Sequence, residues 1–140
     1  MMKLCNEIIT VFNRRVDVEN GWDVYVPTVI NGVSWYSHIR SIVGEKGLKA
    51  ADEFIVRIPT DADFGDKMYV QPIEYRKAFD VSGLFTFDEG DVVVKGAVES
   101  SGISYTPSAL KEAFTDCFTI LGATDNRRAP NAPHFRVVGS

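Results

Sequence analysis

Apolar and polar residues alternate along several short stretches of the chain, beginning close to its first residues. Over residues 7–15, Ile9 and Val11 alternate with Ile8 and Phe12, so that both faces of an extended segment carry apolar side chains. This pattern predicts a β-strand that is partly buried on both faces.

A second extended segment follows at residues 22–37, after a turn at Asn20-Gly21 that is typical of a β-hairpin. Pro27 lies within this segment and cannot donate a ladder hydrogen bond, which predicts a sheet edge or a bulge at that position. Asn31-Gly32 indicates a second turn or bulge before extended structure resumes.

The remaining apolar runs are short and are punctuated by glycine and proline. One helix is predicted at about residues 107–116, with Thr106 as its N-cap and Pro107 as its first residue. Because strands do not alternate with helices, the pattern favours a mainly β fold, a small antiparallel β-barrel or sandwich with one short α-helix. Further strands are predicted at residues 54–58, 84–87, 92–97, 117–124 and 134–140.

The length of 140 residues predicts a single domain over residues 1–140. Within it we expect an exposed loop near residues 41–51 and a C-terminal extension near residues 125–140. The N-terminal residues lack the apolar run of a secretory signal, and no stretch is long enough to span a bilayer, so we expect no membrane partner. Cys5 and Cys117 are expected to be reduced thiols.

The charge of the chain is unevenly distributed. The net charge is −4, which argues against sequence-specific recognition of DNA or RNA. Residues 52–91 hold ten acidic and four basic side chains, a balance of −6, so the remainder of the chain is +2. This asymmetry favours head-to-tail contacts between copies of the chain.

Candidate chemistry is sparse. Asp61, Asp63 and Asp66 have a spacing that is a weak match to a cation-binding loop, but the closing glutamate is missing. No serine, histidine, cysteine or glycine motif indicates an enzyme or a cofactor, so we expect neither catalytic residues nor a cofactor. The candidate interface residues are Arg127 and Arg128 in a turn, together with the aromatic residues Trp22, Trp35, Tyr36 and Phe135.

The order of these features resembles a known family. The relevant segments are EIITVFNRR, VYVPTVINGVSWYS, IVRIP at residues 55–59, LFTFDEGDVVVKG at residues 84–96, and TDNRRAPNAPHFRVVG near the C-terminus. Together they are similar to small proteins from the head–tail gene block of tailed bacteriophages and prophages, often labelled minor capsid proteins. The layout is also similar to that of head-closure, or stopper, proteins. The helix and the segment after it depart from the simplest stoppers.

The resemblance implies a non-enzymatic virion protein at the head–tail junction, or neck, present in the host cytoplasm during assembly. It implies a homo-oligomeric ring (hexamer or dodecamer), contact with portal, adaptor and tail proteins, and DNA that passes nearby without sequence-specific binding. A loop would narrow the channel, either residues 41–51 or residues 60–67. Alternatives are a tail terminator, a capsid decoration protein or a small cation-binding module. The channel-loop candidates are Glu45, Lys46, Lys49, Asp61, Asp63 and Asp66.

Overall fold

A computed structural model describes residues 5–16, 21, 23–44, 47–98 and 106–140, with the backbone alone for residues 38–44 and 47–52. Two short helices are present in these ranges, α1 (Pro72–Lys77) and α2 (Pro107–Ala113). The strands are β1 (Glu7–Val16), β2 (Asp23–Gly44), β3 (Gly47–Pro59), β4 (Met68–Tyr69), β5 (Leu84–Phe85), β6 (Val92–Lys95), β7 (Cys117–Asn126) and β8 (His134–Gly139).

Six of the strands form a closed antiparallel barrel in the order β1-β2-β3-β8-β7-β6. The barrel closes because β1 pairs with β2 along one side and with β6 along the other. The mainly β fold predicted from the sequence is therefore confirmed. β4 and β5 form a separate parallel pair of two residues each.

The alternation of side chains along β1 divides the core into two clusters. Ile9 and Val11 are fully buried in the main cluster, which also contains Phe118 and Val137. Phe12 belongs to a second cluster with Leu110 of α2, as well as Val92, Val94, Val98 and Cys117. Successive side chains of a strand point to opposite faces, so β1 is apolar on both faces because α2 covers the second one.

The two irregularities predicted in β2 are present. The register with β1 shifts between Glu7 and Ile8, whose partners are Val33 and Asn31, and Gly32 between them has a φ of 91°. This is a β-bulge with glycine in the left-handed region. Pro27 pairs with Phe12 of β1, whereas the ladder between β2 and β3 begins only at Ser34, so the proline lies at a free edge.

The segment predicted as an exposed loop at residues 41–51 is instead largely strand. Its backbone forms the end of the ladder between β2 and β3, from Ser41 opposite Ala50 to Gly44 opposite Gly47. The pairing of β3 with β8 covers only Phe54–Pro59, so residues 38–44 and 47–53 extend past it as a two-stranded arm. The mixed polarity of residues 41–51 indicated a loop because it lacks the alternation of a half-buried strand. A two-stranded arm outside the barrel does not have to bury one face, so its sequence need not alternate.

Two other expectations need correction. The predicted helix at about residues 107–116 ends at Ala113. The segment at residues 73–80 lacks a sustained period, which left an irregular segment or a short helix open, and it contains most of α1. The predicted C-terminal extension at residues 125–140 is part of the barrel, because β8 pairs with both β3 and β7. Among the described residues, neither helix has the length or the apolar content needed to cross a bilayer.

Candidate functional site: two charged surfaces

A buried polar group fixes the C-terminal end of β1. The Asp91 carboxylate is 2% exposed and accepts hydrogen bonds from the Asn13 side chain at 2.8 Å, the Arg14 backbone at 3.0 Å and the Asp88 backbone at 3.2 Å. Asn13 also donates to the Thr86 carbonyl at 2.6 Å. Burial raises the pKa of Asp91 to about 6 despite these donors. The acidic turn at residues 88–91 is thus held against β1.

Three arginines lie around a cleft at this end of the molecule. Arg15 donates to the carbonyls of Tyr75 at 2.9 Å and Ala78 at 2.8 Å, at the C-terminal end of α1. Arg76 forms an ion pair with Asp88, and Arg14 is exposed, with no ion-pair partner among the described residues. The arginine cleft has a volume of about 490 Å³ and is lined by Arg14, Arg15, Val16, Asp23, Arg76 and Asp88.

Phe79 is fully exposed, at 103% of its reference area. It directly follows Ala78, whose carbonyl accepts the hydrogen bond from Arg15 of the arginine cleft. Phenylalanine and arginine are both among the residue types enriched at protein–protein interfaces. Sequence reasoning missed this surface. The available signals were the adjacent arginines at the end of β1 and a phenylalanine within the charged run of residues 76–80.

A second charged surface is the acidic loop, residues 60–67, which is tied to the free edge of β2. The backbones of Asn31 and Asp63 exchange two hydrogen bonds of 2.9 Å each. The Lys67 ammonium donates to the Pro27 carbonyl at 2.9 Å and to the Thr28 hydroxyl at 2.8 Å. The loop predicted as a channel candidate is therefore docked on the barrel.

The carboxylates of the acidic loop do not form a metal centre in the structure. Asp61, Asp63 and Asp66 are all exposed, and Asp63 accepts a hydrogen bond of 2.9 Å from the Gly65 backbone. In the described part of the chain, no group of three or more His, Cys, Asp or Glu side chains is placed to hold a metal ion. The weak calcium-loop spacing reflects a local turn, in which Gly65 has a φ of 66°.

Arg127 is occupied within its own chain. Its guanidinium contacts both oxygens of Asp125, at 2.9 Å and 2.7 Å, and lies 5.2 Å from the ring centres of Tyr69 and Phe135. This pairing holds the pKa of Asp125 below its usual value. Phe135, an interface candidate from the sequence, is 4% exposed and packs in the main core cluster of its own chain. Arg128 is exposed at the rim of a neighbouring cleft.

The other candidates are scattered. Trp35 is half-buried and packs against Phe54 and Phe118, with ring centres 5.6 and 5.4 Å away, whereas Tyr36 is 51% exposed. Lys49 lies on the arm opposite Ile42. Trp22, Glu45 and Lys46 lie outside the described residues.

The chain belongs to a family of unknown function, DUF6751, which matches residues 4–140. No curated protein and no solved structure shows a significant match to the chain.

Proposed function

We propose that this protein is a non-enzymatic structural subunit of a tailed-phage virion, located at the head–tail junction. In this role it forms a head-closure ring that joins the portal and adaptor to the tail and helps to retain packaged DNA. The observation that carries the proposal is the two-stranded arm, which is added to a barrel whose fold agrees with the small β-barrel expected from the sequence resemblance.

The arm supports this role because it can reach beyond the body of the subunit. The last residue of β3 that pairs with β8 is Phe54, which lies opposite Gly139. Beyond it, seven residues of β3 pair with seven residues of β2 and form the arm. At about 3.4 Å per residue, such an arm is roughly 20 Å long. An element of this length can contact a neighbouring subunit or line a channel while the barrel remains unchanged.

The closed barrel suits a subunit that assembles through defined surfaces. Each of the six barrel strands pairs with a neighbour on both sides, although β2 pairs with β3 only from Ser34 onward. The acidic loop covers part of the β2 edge that β3 leaves free. Closure of this kind suppresses uncontrolled pairing through strand edges, so association would depend on side chains, the arm and the loops.

The charge of the chain is compatible with DNA passing nearby. A net charge of −4 disfavours retention of duplex DNA through phosphate contacts. The proposed ring, a hexamer or a dodecamer, would therefore obstruct DNA by its shape and would not bind it sequence-specifically.

The decisive experiment is to make phage particles without this protein. We expect heads that package DNA and then lose it, with tails that fail to attach. Particles that retain DNA and join tails normally would refute the proposal. Electron microscopy of complete particles gives a second test: density on the capsid surface or at the far side of the tail junction would instead support a decoration protein or a tail terminator.

A shortened arm separates the role of the arm from that of the barrel. Arg40 lies opposite Ala51, so replacing residues 41–50 by Asn-Gly creates a two-residue hairpin without a change of register. We expect a folded protein that is incorporated into particles but no longer retains DNA. The matched control is Gly83→Ala, which alters a site with no atom within 4 Å of the added methyl group.

A further inference from the structure

We propose that the arginine cleft binds the acidic loop of a second copy of this chain, in a head-to-tail contact that repeats around the ring. The inference rests on the proposed ring and adds the two surfaces that meet in it. The first surface consists of Arg14, Arg15 and Arg76, with the exposed Phe79 one residue after Ala78, and the second consists of Asp61, Asp63 and Asp66.

Two of the three arginines of the cleft are held in place by contacts within the chain. Arg15 donates hydrogen bonds to two backbone carbonyls, and Arg76 forms an ion pair with Asp88. Arg14 is anchored by its backbone N–H to Asp91, while its exposed guanidinium has no ion-pair partner among the described residues. A planar guanidinium presented in this way is suited to a carboxylate.

The acidic loop presents exposed carboxylates. Its basic residue, Lys67, is directed at the Pro27 carbonyl and the Thr28 hydroxyl of β2, and burial lowers its pKa. Neither Asp61 nor Asp66 forms an ion pair with any residue in the described ranges. The loop is also held to β2 through Asp63, so binding does not have to order it first.

The two surfaces do not meet within the described part of one chain. The arginine cleft is at the position of Val24, which is opposite Arg15. The acidic loop is joined to β2 at Pro27 and Thr28 through Lys67 and at Asn31 through Asp63. Pro27 is three residues of extended strand from Val24, or about 10 Å, and Asn31 is seven residues away, or about 23 Å. No ion pair between described residues joins an arginine of the cleft to the acidic loop. Opposite charges at two separate places on one subunit allow a heterologous, head-to-tail contact between copies. Such a contact forms a closed ring when the rotation that relates neighbouring subunits divides 360° into a whole number of steps.

A protein carboxylate fits the arginine cleft better than a nucleic acid does. The described lining contains Asp23 and Asp88 as well as the three arginines, so its net charge of +1 is small for a site that would hold a chain of phosphates. Phe79, one residue after Ala78, adds an exposed apolar ring of the kind common at protein interfaces. The acidic loop supplies discrete carboxylates on a folded surface.

The test is self-association of the full chain, measured by analytical ultracentrifugation. Arg14→Glu reverses the charge of this exposed side chain, and a variant carrying Asp61→Lys and Asp66→Lys reverses the charge of the loop while retaining the Asp63 contact to Gly65. We expect each variant to raise the dissociation constant at least about tenfold, because a charge attraction becomes a repulsion. Phe79→Ser should also weaken association, whereas Lys111→Glu on α2 serves as the matched charge reversal and should not.

Mixing the two charge-reversed variants gives the sharpest result. The intact cleft of one then meets the intact loop of the other. The second type of contact brings the charge-reversed cleft to the charge-reversed loop, and these two surfaces are again opposite in charge. Association should therefore return in the mixture. Raising the salt from about 0.05 M to about 0.5 M should weaken association of the wild type. Thermal unfolding of each variant confirms that it is folded.

Several outcomes overturn the interface. Arg14→Glu that associates like the wild type, a mixture that stays monomeric, or a wild type that is monomeric at the highest attainable concentration each refutes it. Loss of duplex DNA binding in Arg14→Glu without a change in association would assign the cleft to nucleic acid. None of these results alters the DNA-retention test on particles, so the two proposals fail separately.

Discussion

The side-chain amide of Asn13 lies 2.8 Å from the carboxylate of Asp91, at a site where the two residues are 0% and 2% exposed. The same amide donates to the Thr86 carbonyl, and the Asn13 side-chain oxygen accepts from the Thr86 backbone at 3.2 Å. β1 is thereby joined through a buried polar side chain to the segment that precedes β6. This junction also positions Arg14 at the mouth of the arginine cleft.

The first prediction concerns the pH dependence of stability. The pKa of Asp91 is raised from 3.8 to about 6 on folding, so between these values the folded state binds more protons than the unfolded state. The contribution of Asp91 to the free energy of unfolding should therefore fall as pH rises from about 4 to about 6, by at most about 3 kcal/mol. Urea unfolding across this range should show the decline, and Asp91→Asn should remove it.

Asp125 provides a control with the opposite sign. Arg127 lowers the pKa of its carboxyl in the folded state, so its contribution to stability is lost only as pH falls below the ordinary range for aspartate. Asp125→Asn should leave the slope between pH 4 and 6 in place. Equal slopes in the wild type and Asp91→Asn would contradict the assignment of this slope to Asp91.

The second prediction concerns the joint between β7 and β8. A methyl group at Gly139 would overlap the Thr119 carbonyl oxygen and the Phe118 ring. Gly139→Ala should therefore destabilise the protein by about 1–3 kcal/mol or more, because backbone and a core ring must move. Chemical denaturation measures the loss.

Gly122 is the matched position for this comparison. A methyl group there would have its nearest neighbour at 3.8 Å, on the Val138 side chain, which is an ordinary contact. Gly122→Ala should change stability much less than Gly139→Ala. A similar loss of stability from both substitutions would contradict the explanation that Gly139→Ala is destabilising because of the close approach at that position.

The third prediction concerns the anchoring of the acidic loop. Lys67→Met keeps the aliphatic stem but removes the donors to the Pro27 carbonyl and the Thr28 hydroxyl. We expect a loss of about 1–3 kcal/mol, since charged donors make the stronger hydrogen bonds. Faster hydrogen exchange at the amides of Asn31 and Asp63, measured by NMR, would locate the effect in the loop.

Lys111→Met is the control for Lys67→Met, because Lys111 is exposed and its hydrogen bond to the Ser140 carbonyl is long, at 3.3 Å. It should leave exchange at Asn31 and Asp63 unchanged. Unchanged exchange in Lys67→Met as well would show that the two backbone hydrogen bonds hold the loop without the lysine.

The fourth prediction concerns thiol reactivity. Cys117 is 7% exposed within the cluster beneath α2, and burial raises its pKa to about 11. Because the thiolate is the reactive form, a disulfide reagent should modify Cys117 only in unfolded molecules. Mass spectrometry after brief labelling of the native protein should find Cys117 unmodified, and its modification should follow the unfolding transition in urea.

The comparison of sequence and structure is clearest at β1 and β2. Apolar residues on both faces of residues 7–15 predicted a strand partly buried on both sides. Pro27 predicted an edge or a bulge, and Asn31-Gly32 predicted a turn or a bulge. All three are present, because they depend on strand periodicity, the missing proline N–H and the backbone freedom of glycine. The arm was missed because a strand outside the core need not carry an alternating pattern.

For the candidate surfaces, too, part of the answer came from the sequence and part from the tertiary structure. By itself the sequence determined that the chain is mainly β, that its acidic residues are concentrated in residues 52–91, and which residues begin α2. Only the tertiary structure decided that Arg14, Arg15 and Arg76 share a cleft, that Phe79 is fully exposed and that Phe135 is buried. Periodicity and local charge depend on neighbouring residues, whereas a cleft depends on which distant strands and loops the closed barrel brings together.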